Sequence, residues 1–261
     1  MVHPREPLPT LVDDTPELPP AYAHALEAAL TALGPASRIS ADARAIIDGH
    51  ARLLLAWTTA INLTGIRDPA GVAIAHIADS LSAVPWLRAR AVPTLLDLGS
   101  GGGFPGLPLA AALPDTTVTL LEPVGKKARF LETVVAATGL GVRVRVVVAR
   151  AEAVAHERSS RTSWSIVTAR AVASSADLVE LAFPLLEPGG SLIAWKRGDL
   201  GDEIDAARRA MDALGGGRLE RLDVGAGVDG LGGHALLIAT RTGAVPDAYP
   251  RDPTARARRA W

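Results

Sequence analysis

Asp97-Leu98-Gly99-Ser100-Gly101-Gly102-Gly103-Phe104-Pro105-Gly106 is the segment of this chain whose residue types and spacing could do chemistry. It follows a short aliphatic run, Thr94–Leu98, and leads into an apolar stretch, Leu107–Leu113. Glycines let a backbone turn sharply and approach a ligand with no Cβ in the way. Pro105 and Pro108 suit the opening of a helix, where a missing N–H costs nothing. Gly101 to Gly106 also satisfies G-x-G-x-x-G, the fingerprint of a strand-to-helix turn that cradles a nucleotide. A tight turn with no ligand would use the same residue types.

Asp97 discriminates among nucleotides. A carboxylate just before the first glycine is expected to face the cationic amino-acid end of S-adenosylmethionine, and it would repel a pyrophosphate. Glu122 ends the second strand-like run, about 23 residues past Gly99. That is close to the ~20 at which an acid reaches ribose hydroxyls, although a surface acid capping the next helix would look the same. Arg150-Ala151-Glu152 closes a third run, where a backbone N–H and an acid can meet an adenine edge or simply start a helix. Thr168-Ala169-Arg170 closes a fourth, nearest the reacting atoms. Arg170 there could pair with the cofactor carboxylate, orient an electron-rich substrate, or form a structural ion pair.

The elements that must position these groups follow from periodicity. Residues 1–20, rich in Pro and acids, are expected to be a flexible leader. Residues 21–91 predict an N-terminal helical cap. Ile39, Ala43, Ile46, Ile47, His50, Leu53, Leu54 and Trp57 recur at helical spacing behind a Ser40 N-cap, and a second helix spans about Ala70 to Leu87. Residues 92–245 alternate strands (Thr94–Leu98, Val118–Glu122, Val142–Val148, Ser165–Ala169, Ser191–Lys196) with helices near Leu107–Leu113, Lys126–Thr138, Ser174–Phe183 and Asp202–Leu214. Two last strands, Arg218–Val224 and His234–Thr240, are joined by a Gly-rich link. They should be antiparallel neighbours, one reversing at the sheet edge. The fold expected is α/β, a class I S-adenosylmethionine-dependent methyltransferase (Rossmann-like) sheet with an N-terminal helical cap. Residues 246–261 read as an exposed basic tail.

Composition removes other classes. Cysteine is absent, which excludes disulfides, a thiol nucleophile and a Cys-ligated zinc. No metal site is expected. Net charge is −1, so no global basic field attracts a polyanion and any grip on one must be local. No apolar run approaches the ~18 residues of a membrane span, and no signal opens the chain; a cytoplasmic protein is expected.

Four ordered segments resemble a known family. The glycine segment continued through Leu107-Pro108-Leu109-Ala110 is similar to the motif of the bacterial small-subunit ribosomal RNA guanine-N7 methyltransferases, also called glucose-inhibited division protein B. Asn62-Leu63-Thr64 followed by His76-Ile77-Ala78-Asp79-Ser80-Leu81, Lys126-Lys127 with Phe130-Leu131, and Thr168 through Ala173 resemble three further motifs of that family. The similarity covers roughly residues 45–200. It implies that Gly99, Phe104, Ala151, Glu152 and Arg170 contact S-adenosylmethionine and that a guanine in a loop of 16S ribosomal RNA is methylated at N7. The partner would be that RNA or the small ribosomal subunit, and the protein a monomer. Glu122 stands where the family has Asp, and after Tyr249-Pro250-Arg251 the tail departs from the family pattern.

Guanine N7 is a bare acceptor with no proton to remove, so no general base is expected. Alignment would supply the rate. Lys127, Lys196 and Arg197 would steer phosphates at the mouth of the site, which predicts weak, salt-sensitive binding of short RNA. His76 and Asp79 would line the cap side of the pocket or form a buried pair joining cap to sheet. Three other readings remain open at this point. They are a methyltransferase of a small molecule or protein, a nicotinamide-dependent dehydrogenase, and a non-catalytic RNA-binding module with a relic pocket.

Overall fold

In the computed structural model, residues 7–258 and 261 are described. Seven strands form one sheet in the order β3-β2-β1-β4-β5-β7-β6. They are β1 (Thr94–Leu98), β2 (Thr117–Leu121), β3 (Val144–Val147), β4 (Trp164–Arg170), β5 (Leu186–Arg197), β6 (Gly217–Val224) and β7 (His234–Arg241). The first five are parallel, as aliphatic runs alternating with helices require. β7 runs antiparallel to both β5 and β6. The reversed strand therefore lies inside the sheet and β6 holds the edge, which corrects the expected edge reversal. β6 has the wider exposure of an edge strand, whereas β7 is apolar almost throughout.

β5 begins five residues before the expected Ser191 because Pro188-Gly189-Gly190 reads as a turn. Its pairing shifts register between Trp164 and Ile166, and such an irregularity tolerates those residues in a strand.

One sheet face is covered by the N-terminal helices, α1 (Pro20–Ala32) and α2 (Ala41–Trp57), and by a helical run from Pro69 to Arg88. Ser40 caps α2 as expected, its hydroxyl accepting from Ala43 N–H at 3.1 Å. Behind that cap, Ala43, Ile47, Ala51 and Leu54 form the buried stripe. The 69–88 run comprises α3 (Pro69–Val72), a π-helical turn at Ala73–Ala78, α4 (Asp79–Leu81) and α5 (Val84–Arg88). It is long and apolar enough to span a membrane by length and composition, contrary to expectation. Val72, Ile77, Leu81, Val84 and Leu87 are nevertheless buried against the sheet, as in a core helix.

α6 (Gly106–Ala112) and α7 (Gly125–Ala137) complete that layer. The opposite face carries α8 (Ala151–His156), α9 (Ser175–Ala182) and α10 (Gly201–Ala213). A last helix, α11 (Pro253–Arg258), belongs to the tail.

Both chain ends differ from expectation. Of the expected leader, residues 1–6 lie outside the described residues, but 7–20 are tied to α2. Trp57 Nε1 donates to Pro9 O at 2.8 Å, and Arg52 Nε donates to Thr15 Oγ1 and Pro16 O, each at 3.1 Å. Leu8, Val12 and Leu18 pack on the core, so the few apolar groups of this segment suffice to seat it. The tail folds back: Arg251 pairs with Glu180 of α9 at 2.6 Å and Arg256 with Glu152 of α8. Arg259 lies outside the described residues.

Candidate cofactor and substrate site

The glycine loop leaves β1 beside β4, where the sheet order reverses and α/β folds bind ligands. Gly99 and Ser100 N–H both donate to Leu121 O, at 2.8 and 3.1 Å, anchoring the loop to β2. Gly103 has φ +90°, and a Cβ there would meet Leu107 and come within 2.9 Å of His50 Nε2. At Gly106 a Cβ would crowd Leu120 and lie 2.7 Å from Asp97 Oδ2. Packing from beneath therefore demands both glycines.

That packing corrects the expected role of Asp97. Its carboxylate is fully buried, accepting from Thr168 Oγ1 at 2.8 Å and from Gly106 N–H at 3.2 Å. It lines neither cavity described below. Burial pushes its pKa up to about 6, against the lowering effect of those hydrogen bonds. Asp97 pins the start of α6 to β4 rather than meeting a ligand. Glu122 does similar work: it accepts from Gly101 N–H at 2.8 Å and Val124 N–H at 2.9 Å. It too lines neither cavity, so this arrangement does not give it the expected reach to a ribose.

Two cavities open at the carboxyl ends of the strands, and both are lined by Gly99 and Ala173. The first, about 740 Å³, is lined by Gly99, Pro123, Ala151, Glu152 and the tail residue Arg256. The second, about 600 Å³, is lined by Thr64, His76, Phe104, Lys127, Arg170 and Trp195, among others. Val172 lines the first of them, 41% exposed, 2.9 Å from where a Gly99 Cβ would be. Ala171 before it has φ +57°, a left-handed conformation that costs a non-glycine residue about 1–2 kcal/mol.

The structure thus brings Gly99, Phe104, Ala151, Glu152 and Arg170 to the rims of two adjoining cavities, with Glu122 holding the loop between. Glu152 is paired with Arg256 at the end of the first cavity. Phe104 lies between two imidazoles, its ring centroid 4.6 Å from His50 and 4.7 Å from His76.

Arg170 is bound on the cap side. It donates to Asp79 Oδ2 at 2.9 Å, to Ala75 O at 3.0 Å and to His76 Nδ1 at 3.1 Å. Asp79 is buried, and its other oxygen meets His234 Nδ1 at 2.9 Å, while Trp195 Nε1 donates to its carbonyl at 2.8 Å. Both alternatives for His76 and Asp79 therefore hold together: the two line the cap side of the second cavity, and through Arg170 and His234 they join cap to sheet. Burial, with Arg170 adding to it, lowers His76 to about 4, and burial lowers His50 to about 4 as well. Both rings are neutral near pH 7.

Of the three cations expected at the mouth, Lys127 is half-buried and Arg197 exposed, and neither has an ion-pair partner among the described residues. Lys196 differs. Its ammonium is paired with Glu203 and donates to Ala173 O at 3.1 Å, so its charge is neutralised and it braces the loop after β4. Thr64, Trp195 and His234 were not singled out as site residues. Thr64 does lie in a motif, but His234 gives no local signal because its partner is 155 residues away. No group of His and acidic residues capable of holding a metal occurs among the described residues.

Residues 44–239 match the family model described as rRNA small subunit methyltransferase G. The ribosomal RNA small subunit methyltransferase G of Roseiflexus sp. (strain RS-1) is 41% identical over 208 residues, 79% of this chain and 86% of that protein. The protein of the same name from Geobacillus kaustophilus is 35% identical over 215 residues, 82% of this chain and 90% of its own length. Among solved structures, the fibrillarin of Aeropyrum pernix in complex with natively bound S-adenosyl-L-methionine is 16% identical. It has a TM-score of 0.44 and covers 56% of this chain and 66% of that chain.

Proposed function

The chain belongs to the rRNA small subunit methyltransferase G family, and from that premise we propose that it methylates N7 of a guanine in a loop of 16S ribosomal RNA, alone or in the small subunit. It is an S-adenosylmethionine-dependent ribosomal RNA methyltransferase. The observation that carries the finer reading is the meeting of two cavities at Gly99 and Ala173, one sized for a nucleoside and one walled by the cap.

The residues present fit the cofactor. Gly99 leaves a cradle whose Cβ space is limited by Val172. The expected contacts Gly99, Ala151 and Glu152 border the first cavity, Phe104 and Arg170 the second. S-adenosylmethionine supplies an electrophilic sulfonium methyl. With the cofactor bound, the bare N7 lone pair would receive that methyl as sulfur leaves with its bonding pair, and no residue of this chain would have to move a proton. His76 is neutral and engaged through both nitrogens, to Arg170 at Nδ1 and to Thr64 at Nε2, so it has no free lone pair to act as a base. Positive charge appears on the base, and this chain has muted the cations nearest it: Arg170 is balanced by Asp79 and Lys196 by Glu203. Lys127 and Arg197 remain to meet phosphates. The cap, residues 21–91, and the sheet domain, residues 92–245, act as one body in a cytoplasmic monomer.

Mapping N7-methylguanosine in ribosomal RNA from cells with and without the gene tests this. One modified guanine should vanish from the small subunit and return with the gene. Unchanged modification, or purified protein binding NAD and not S-adenosylhomocysteine in calorimetry, overturns it.

A further inference from the structure

We propose that the Thr64 hydroxyl is a dedicated hydrogen-bond donor to guanine O6 and selects guanine over adenine at the methylated position; this rests on the N7 reading above. The inference comes from counting protons along one chain of side chains. Arg170 can only donate, and its NH2 lies 3.1 Å from His76 Nδ1, so Nδ1 must accept. In the neutral ring the proton is then on Nε2, which lies 2.6 Å from Thr64 Oγ1 and donates to it. The Ile66 N–H donates to the same oxygen at 3.0 Å. Both lone pairs of Thr64 Oγ1 are thereby filled, and its own proton has no acceptor among the described residues.

A hydroxyl usually both donates and accepts, and so reads either purine. This one has lost its acceptor capacity. Thr64 lines the second cavity beside Arg170 and Phe104, so the remaining proton is presented where the base must enter. Guanine's edge carries two adjacent acceptors, N7 and O6. N7 must stay bare to be methylated, which leaves O6 as the atom a fixed donor can hold. Adenine presents an N6 amino group at that place, donor against donor, and is rejected.

The test uses small ribosomal subunits reconstituted on RNA with guanine or 2-aminopurine, which lacks O6, at the methylated position. Wild-type protein should methylate the analogue about 10-fold less efficiently in kcat/KM. Thr64→Val should lose a similar factor on guanine and show no further loss on 2-aminopurine. Thr64→Ser should restore discrimination. Purely structural damage in Thr64→Val would lower both substrates together and keep their ratio, which overturns the inference. So would wild-type protein treating the two bases alike, or Thr64→Val weakening S-adenosylhomocysteine binding with the ratio intact, which would assign the hydroxyl to the cofactor. Wild-type protein that methylates no guanine subunit overturns the functional reading, and this inference with it.

Discussion

At Asp97 and Glu122 residue type was legible from the sequence but direction was not. Acids at the ends of the first two strands were expected to meet a ligand, and both instead accept backbone N–H groups of the loop that would hold it. A side chain's target depends on what packs beneath it, and Leu120 and Thr168 come from other strands. The Asp97 argument against a pyrophosphate therefore lapses, and the family match excludes the dehydrogenase reading in its place. Asp97 should mark stability with pH. Burial raises its native pKa to about 6, above the 3.8 of a free aspartate, so the native state keeps a proton that the unfolded chain has lost. Its stabilising share is present at low pH and fades as pH rises through that window, by about 3 kcal/mol. His50 and His76, lowered from 6.5 to about 4, act with opposite sign as pH falls. Urea unfolding of wild type against Asp97→Asn cancels the histidines. The difference between the two proteins should change by about 2 kcal/mol from pH 4 to pH 6.5, because part of the window lies below pH 4, and a constant difference would contradict it.

Elements were more legible than their joints. Strand and helix positions follow from period and from Gly/Pro punctuation, so most expected spans agree within a few residues. The π-helical turn at Ala73–Ala78 has no such signal. There Arg170 satisfies the Ala75 carbonyl and pairs with Asp79 one turn on. Asp79, with Arg170 and His234, fastens the 69–88 helix to the ends of β4 and β7. Removing one member of such a buried group strands the others. Asp79→Asn should cost about 3 kcal/mol in urea unfolding. It should also lower methyl transfer, because the Arg170–His76–Thr64 chain loses its anchor. Wild-type stability in this variant would show that the knot bears no load.

For the whole molecule, the largest revision is the tail. Its arginines look like a solvated basic end, yet Arg251 meets the fully buried Glu180, and Trp261 Nε1 donates to the same carboxylate at 2.9 Å. The tail also brings Arg256 to Glu152 at the rim of the first cavity. Arg251→Ala leaves a buried carboxylate without its guanidinium and should destabilise the protein by about 3 kcal/mol. S-adenosylhomocysteine affinity should fall with it as the rim loosens. Calorimetry that finds binding unchanged in the folded variant would separate the tail from the cavity.

By itself the sequence determined the alternation of strands and helices, the turn that must be glycine, and the family, because these are written in local period, steric need and ordered motifs. Only the tertiary structure decided which acids line a cavity, which cations are already paired, and where the described parts of both chain ends lie. Those outcomes depend on pairs such as Asp79 with His234 and Glu180 with Arg251, far apart along the chain and brought together only when both sheet faces are packed.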